Sequence, residues 1–198
     1  MKLCRYDNDR LGIVEGAEVL DVSEALDAIA PQRWPYRHGD ALIASLPAVL
    51  ERARQLSARA ARRKLSEVRL RPPVANPSKI INAPINYQAH IDEAKKDQGI
   101  AHGREIKSIA DWGLFLKSPS SLAGAGDGIA LRFPERRNDH EVELAVVIGR
   151  EANRVRRAEA LDYVCGYSIG LDMTLRGPEL PQVDRHVQRA GALARYPR

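Results

Sequence analysis

The stretch NDHEVELAVVIGR, residues 138–150, constrains the fold of this chain more than any other segment. Its residues alternate as they do in a β-strand, where successive side chains point to opposite faces. Glu141 and Glu143 therefore share one face, about 7 Å apart at the rise per residue of a strand. The opposite face is uniformly apolar and predicts contact with a hydrophobic core; its members are Val142, Leu144, Val146 and Ile148.

The two carboxylates on one strand face have two interpretations. Like charges in a partly desolvated setting repel, and this raises the pKa of one of them unless an arginine, a lysine or a metal ion compensates. The spacing alone favours two solvent-facing glutamates at a strand end. Asp172 shifts the balance, because it shares its own strand face with the small residues Gly166, Ser168 and Gly170. Three carboxylates without paired cysteines or histidines indicate a hard divalent ion, Mg²⁺ or Mn²⁺, rather than zinc.

Cysteine usage and hydropathy limit the classes of protein to which this chain can belong. The chain has 198 residues, and Cys4 and Cys165 are too far apart in sequence for a C-x-x-C motif, which disfavours a disulfide framework and a structural zinc site. The N-terminus shows no signal peptide, and the longest apolar run is too short to span a bilayer. We therefore expect a cytoplasmic protein with no membrane partner.

The net charge of +5 is concentrated in two basic clusters, residues 51–64 and 183–198. Basic clusters can bind nucleic acid. Neither cluster has interleaved aromatic residues or zinc-finger spacing, so a solvated helix face is the preferred interpretation of the first. We expect no nucleic-acid partner and rank a nucleic-acid-binding module last among the functions.

Residues 1–70 predict a small N-terminal accessory domain. Strand-like alternation in residues 1–22 is interrupted by turn signals near Asp7–Asp9 and Glu15–Gly16. Apolar residues at three- and four-residue steps predict one helix over residues 40–64. The proline-rich segment RPPVANPSK, residues 71–79, then predicts a linker.

Residues 80–181 predict the N-terminal part of a second, catalytic domain. Its expected elements are a short strand in KIINAPINY, a helix over 88–99 that stops at Gly99, a strand at 113–118 and a small-residue loop at 120–128. The carboxylate strand follows, then a short helix in RAEALDYV and a strand over 165–175.

Four blocks, in order and with preserved spacing, resemble the fumarylacetoacetate hydrolase family: KIINAPINYQAHIDEA, GLFLKSPSSLAGAGDGIAL, EVELAVVIG and DYVCGYSIGLDMTLRGPE. The resemblance covers roughly residues 77–181. It implies an α+β fold, with a small N-terminal domain followed by a β-rich mixed catalytic domain, and a homodimer. It also implies that Glu141, Glu143 and Asp172 hold one Mg²⁺ or Mn²⁺. The substrates of the family are small 2-oxo or 1,3-diketo acids.

The same resemblance implies the catalytic groups. His90 and Glu93 lie at i and i+3 on the predicted helix, so that Glu93 would orient the imidazole and His90 would take a proton from water. Without the resemblance, a surface histidine on a short helix is the preferred interpretation of His90. Lys117 either neutralises a substrate carboxylate or ends a strand at the surface, and both remain open. Asn86 and Tyr87 are expected to shape the loop that presents His90.

The implied function is metal-dependent hydrolysis of C–C bonds in 2-oxo or 1,3-diketo acids, as in aromatic catabolism, with the metal stabilising an enolate. Isomerase, hydratase and decarboxylase activities of the same family are alternatives.

Two departures from the family pattern stand out. Leu171 replaces the asparagine that usually precedes the metal-binding aspartate. Residues 182–198 predict an atypical basic tail in place of the family's next block. Our hypothesis from the sequence is a reading frame truncated or shifted near residue 181, which would leave the catalytic domain incomplete at its C-terminus. It would expose strand edges and an apolar face, and the chain would then be a catalytically inactive metal-binding remnant.

Overall fold

The computed structural model describes residues 1–97, 109 and 113–176. Helices and strands are mixed within it, as the expected α+β class requires. Gly99, where the sequence predicts a helix stop, and the predicted basic tail at 182–198 lie outside the described residues. Within the described part, no helix is long and apolar enough to cross a membrane.

A five-stranded antiparallel sheet forms the N-terminal part, in the order β4-β3-β2-β1-β5. Its strands are β1 (Leu3–Tyr6), β2 (Arg10–Glu15), β3 (Glu18–Asp21), β4 (Arg62–Lys64) and β5 (Leu70–Arg71). The two predicted turns are confirmed. Asp7, Asp9 and Gly16 all have positive φ, at 47°, 60° and 59°, a conformation that turns require and that aspartate and glycine tolerate better than most residues.

The single helix predicted over residues 40–64 was wrong. The structure contains two helices, α1 (Ala41–Ala44) and α2 (Leu46–Ser57), and then strand β4. Asp40 begins α1 by accepting a 3.1 Å hydrogen bond from the Ile43 amide, and Pro47 lies in the first turn of α2, where its missing N–H costs nothing. The Arg62 guanidinium binds Glu18 at 2.8 Å beside β3. Strand pairing therefore overrides the helical pattern at the end of the segment.

The hydrophobic core lies between the N-terminal sheet and α2. One face of the helix, formed by Val49, Ala53 and Leu56, is buried. This face contacts side chains from β2, β3 and the 3₁₀ helix Ser23–Ala28. The remaining buried members of the cluster are Leu11, Ile13, Leu20, Val22 and Ala25. The helical periodicity thus correctly identified the buried face of α2.

The predicted small-residue loop is anchored on β5. The Gly126 amide donates to the Leu70 carbonyl at 3.1 Å, and Asp127 accepts from the Gly124 amide at 2.9 Å and from Arg69 and Arg71 at 2.6 and 2.9 Å. A Cβ on Gly124 would lie 2.6 Å from the Leu70 carbonyl oxygen. Only glycine permits so close an approach to the backbone.

The remaining elements match the predicted order. They are β6 (Ile80–Asn82), α3 (Gln88–Lys96), β7 (Phe115–Lys117), β8 (Asn138–Ile148), the 3₁₀ helix Arg157–Tyr163 and β9 (Val164–Leu175). Short 3₁₀ turns also occur at Leu65–Glu67 and Pro119–Ser121. Strand β6 pairs antiparallel with β7, and β8 pairs with β9.

Strands β8 and β9 run antiparallel. The Arg176 amide donates to the Arg137 carbonyl at one end of the pair, and the Gly149 amide donates to the Tyr163 carbonyl at the other, each at 2.8 Å. Strict alternation of exposure along β8 confirms that it has two distinct faces.

The assignment of these two faces was wrong. The apolar face of β8 was expected in the core, yet Val142 is 66% and Leu144 60% exposed, and Val146 and Ile148 are exposed as well. Glu141 and Glu143 lie instead on the more buried face. Because β8 belongs to a two-stranded sheet, burial depends on which face the neighbouring elements cover, and alternation does not determine that choice.

Two compact units make up the chain, and both are discontinuous in sequence. The first comprises residues 1–78, 123–129 and 144–170, and the described residues of the second are 79–97, 109, 113–122, 130–143 and 171–176. Every residue of the candidate site described below belongs to the second unit. The division into domains made from the sequence stays a prediction.

Candidate active site

The half-buried faces of β8 and β9 carry the three carboxylates that the sequence singles out. Glu141 and Glu143 are partly buried on β8, and Asp172 is 9% exposed on β9. Strand alternation determines this arrangement locally, because residues two apart point to the same side. The predicted grouping of Glu141 with Glu143 on one face is confirmed.

Lys117, at the end of β7, contacts Asp172. The lysine is 4% exposed, and its ammonium group forms an ion pair with the Asp172 carboxylate. The other oxygen of that carboxylate accepts a 2.7 Å hydrogen bond from the Asn82 side chain on β6. Of the two interpretations left open for Lys117, the surface one is therefore wrong, because the ammonium is buried beside a carboxylate.

Arg176 binds Glu141 from the end of β9. Its Nη2 forms an ion pair with Glu141, while its Nε donates to Asp139 at 3.0 Å. Thr174 Oγ1 lies 3.3 Å from the second Glu141 oxygen. Arg176 is therefore a cation that directly compensates Glu141.

Glu143 lies among four functional side chains. Burial and the negative charge of Glu141 raise its pKa, while a hydrogen bond from Tyr87 and the nearby His90 and Lys117 lower it, with a net upward shift. Burial in turn lowers the pKa of Lys117 to about 8, against the opposing influence of Glu141 and Glu143. These effects place Glu141, Lys117 and His90 within electrostatic range of Glu143.

His90 and Glu93 both lie on α3, one turn apart. His90 is partly buried and close enough to Glu143 to affect its pKa, while Glu93 is exposed. Among the contacts of the described residues, none joins His90 to Glu93. The structure therefore brings His90 to the carboxylates, and the pairing of His90 with Glu93 stays a prediction.

The donor set fits a hard divalent cation in chemical type. It contains three carboxylates, and burial together with the negative charge of Glu141 raises the pKa of Glu143. Within residues 1–97, 109 and 113–176, however, no group of three His, Cys, Asp or Glu side chains is arranged to hold a metal. Glu141 and Asp172 point to protein cations instead.

Sequence reasoning missed the side-chain roles of Asn82, Tyr87 and Arg176. Asn82 lies in the β-like run KIINAPINY, and its position at the end of a strand next to a loop was the available signal. Tyr87 was expected to shape the loop alone, but its side chain also reaches Glu143. Arg176 lies in the Asp172 block, where the sequence leaves it open between binding a substrate carboxylate and being an ordinary arginine after a strand; its contact with Glu141 depends on the pairing of β8 with β9.

Comparison with known proteins agrees with the architecture. Residues 79–192 match the family model described as fumarylacetoacetate (FAA) hydrolase C-terminal. This range includes part of the segment that the sequence predicts as an atypical tail.

Two similar proteins are maleylpyruvate hydrolases. The chain is 53% identical over 181 residues to maleylpyruvate hydrolase of Aquipseudomonas alcaligenes, covering 90% of this chain and 63% of the relative. It matches the crystal structure of maleylpyruvate hydrolase from Sphingobium sp. SYK-6 in complex with manganese(II) and pyruvate, at 34% identity and a TM-score of 0.70. That match covers 98% of this chain and 63% of the other. The chain thus spans about 63% of the length of these relatives.

A third relative is named for a different reaction. Oxaloacetate tautomerase YisK of Bacillus subtilis (strain 168) is 37% identical over 114 residues, covering 57% of this chain and 35% of the relative. The match to the family model extends over more than half of the chain, and the four sequence blocks lie within or directly beside the matched range. The chain belongs to the fumarylacetoacetate hydrolase family.

Proposed function

We propose that this protein hydrolyses a C–C bond in a small 2-oxo or 1,3-diketo acid, with maleylpyruvate as the first substrate to test. The observation that carries the proposal is the convergence of Glu141, Glu143, Asp172, Lys117 and His90 in one compact unit. The 53% identity to a maleylpyruvate hydrolase supports this choice of substrate.

Glu141, Glu143 and Asp172 are the residues that would hold Mg²⁺ or Mn²⁺. Their carboxylate oxygens are the ligands that these hard cations prefer. A divalent ion bound there would supply Lewis-acid stabilisation of negative charge on the oxygen of a 2-oxo acid. The manganese in the Sphingobium enzyme supports the choice of a divalent cation.

The protein's own residues would manage the proton and the substrate carboxylate. His90 would take a proton from a water molecule, whose oxygen then bonds to the acyl carbon next to the breaking C–C bond. The electron pair of that bond moves to the departing carbon, which takes up a proton to give the 2-oxo acid product. Lys117 would bind the substrate carboxylate, and Glu93 would orient His90.

A direct assay tests this proposal. The full chain is incubated with maleylpyruvate and Mn²⁺ or Mg²⁺, and maleate and pyruvate are quantified with and without EDTA. We expect metal-stimulated turnover that falls at least about a hundredfold in Glu143→Gln, since this change removes a negatively charged oxygen ligand. Glu151→Gln, at an exposed position outside the site, is the matched control and keeps full activity.

Two outcomes would contradict the proposal. An equal rate of turnover with and without EDTA would show that the reaction needs no metal. Metal binding without turnover on any 2-oxo or 1,3-diketo acid would favour the alternative of a catalytically inactive metal-binding remnant.

Tautomerisation is the second candidate, and the similarity to oxaloacetate tautomerase YisK favours it. The same site would move a proton between carbon and oxygen without breaking a C–C bond. Ultraviolet absorbance of enol-oxaloacetate, followed in the presence of the protein and Mg²⁺, distinguishes this reaction from hydrolysis, because no pyruvate is formed.

We further propose that the protein acts in the cytoplasm as a homodimer, without a nucleic-acid or membrane partner. Light scattering coupled to size-exclusion chromatography, with and without Mn²⁺, tests the dimer. A monomer at micromolar concentration under both conditions would exclude it.

A further inference from the structure

We infer that Lys117 and Arg176 are internal counter-cations of the metal ligands, so that both compete with a divalent cation for Asp172 and Glu141. The two residues would thereby set the metal affinity of the site. This inference rests on the proposed metal site, and it assigns to the two cations a role distinct from substrate binding.

Burial makes a counter-cation necessary at Asp172. The carboxylate is 9% exposed and the Lys117 side chain 4%, so each would be poorly solvated without the other. A buried charge that loses its partner is strongly destabilising. Asn82 satisfies one carboxylate oxygen and Lys117 contacts the other. A metal ion that approaches Asp172 would therefore meet the Lys117 ammonium group at one of the two carboxylate oxygens.

Arg176 and Glu141 form a second ion pair of this kind, at Glu141 of the neighbouring strand β8. Arg176 is 14% exposed and contacts Glu141 through Nη2. Its Nε remains on Asp139 at 3.0 Å, so the guanidinium has a second anchor when it leaves Glu141. Arg176 can therefore release Glu141 by a small rotation about Asp139, whereas Lys117 needs a new anion.

Competition follows from elementary electrostatics. A divalent cation and an ammonium group on one carboxylate repel each other strongly at contact distance in a partly buried site. A metal that binds Asp172 or Glu141 must therefore weaken the ion pair there, and the free energy lost from that ion pair is subtracted from the binding of the metal. Once displaced, Lys117 is a buried ammonium near Glu141 and Glu143, ready to bind an anionic substrate.

Mn²⁺ titration of the full chain tests the inference without any turnover. The loss of the free Mn²⁺ signal in electron paramagnetic resonance gives the dissociation constant. We expect Lys117→Met to bind Mn²⁺ about tenfold more tightly than the wild type, and Arg176→Gln to bind it several-fold more tightly, since each change removes a competing cation. Arg176→Lys, which keeps the charge, should remain near the wild type.

Lys79→Met is the matched control for the loss of one positive charge. Lys79 is exposed in the same unit, and its replacement should change the Mn²⁺ affinity less than twofold. Equal tightening in Lys79→Met and Lys117→Met would overturn the inference, because it would reduce the effect to net charge. Unchanged or weaker binding in Lys117→Met would also overturn it.

Thermal unfolding is a second measurement. Without metal, Lys117→Met should unfold at a lower temperature than the wild type, because Asp172 loses its partner; with saturating Mn²⁺ it should gain more in Tm than the wild type does. If Lys117→Met does not fold cooperatively, Arg176→Gln carries the same test at Glu141. A wild type that binds no Mn²⁺ refutes the proposed metal site, whereas a binding wild type whose variants bind no more tightly refutes only the counter-cations.

Discussion

The N-terminal sheet and the β8–β9 pair bury opposite kinds of side chain. In β3 of the N-terminal sheet the adjacent Val19 and Leu20 are both buried, while the ion pair between Arg62 and Glu18 lies at the surface. In β8 the aliphatic Leu144 is 60% exposed, while the carboxylates face inward toward the buried Lys117. Apolar contacts stabilise the N-terminal sheet, whereas the β8–β9 pair directs its carboxylates toward its more buried face.

Alternation along a strand shows which residues share a face. The elements that pack against the strand decide which of its faces is buried. In the N-terminal unit an amphipathic helix, α2, covers one face of the sheet. The groups near Glu143 on β8 are Lys117, His90 and Tyr87, and each of them stabilises the charged form of the carboxylate. We expect substitutions in the first region to reduce stability, and substitutions in the second to reduce activity.

The largest expected effect separates activity from stability. His90→Gln should lower kcat for the proposed hydrolysis by about 10²- to 10⁴-fold, the usual contribution of a general base, and leave the unfolding midpoint unchanged. His140→Gln is the matched control, because His140 lies on the exposed face of β8. Similar losses in both variants would contradict the role of His90 and the assignment of faces.

The next comparison applies one truncation to both regions. Leu20→Ala should lower the free energy of unfolding by about 2–5 kcal/mol, since it leaves a cavity in a packed core. Leu144→Ala removes the same atoms from an exposed position and should cost less than about 1 kcal/mol. Urea unfolding followed by circular dichroism measures both. A cost at Leu144 equal to that at Leu20 would show that the apolar face of β8 is covered in solution.

A smaller effect is expected at the glycines of the first unit. Gly124→Ala would bring a Cβ within 2.6 Å of the backbone of β5 and should lower the free energy of unfolding by about 1–3 kcal/mol through overpacking. Gly166→Ala, on β9, meets no atom within 4 Å and should be neutral or slightly stabilising. The reverse order in a denaturant titration would refute the docking of the small-residue loop on β5.

The smallest expected effect is a pH dependence. The Gly124 amide, together with Arg69 and Arg71, lowers the pKa of Asp127. A carboxylate whose folded-state pKa lies below its unfolded value stabilises the fold above the unfolded value, and this contribution is lost as the pH falls through the folded-state pKa.

Asp127→Asn should therefore be less stable than the wild type at pH 6 and lose less stability on acidification from about pH 5 toward pH 2. The exposed Asp162→Asn controls for the loss of one surface charge. Parallel acid curves for the wild type and Asp127→Asn would show that the ion pairs on Asp127 are absent in solution.

Much of the local structure could be predicted from particular residues. The turns at Asp7–Asp9 and Gly16, the buried face of α2, helix α3 and both long strands follow from periodicity and turn chemistry. The helical pattern failed at Arg62–Lys64, because pairing with β3 is a long-range contact that local spacing does not encode. The same limitation hid the contact of Asn82 with Asp172, which are ninety residues apart.

The family, the α+β class and the sharing of one strand face by Glu141 and Glu143 follow from the linear chain, because motif order and period-two alternation are properties of the sequence. The burial of one face of β8, and the cations that meet the carboxylates, depend on the folded arrangement. Lys117 reaches Asp172 from a different sheet, and Arg176 reaches both Asp139 and Glu141 through the pairing of β8 with β9. Burial and charge compensation depend on neighbours distant in sequence, and those neighbours exist only once the chain has folded.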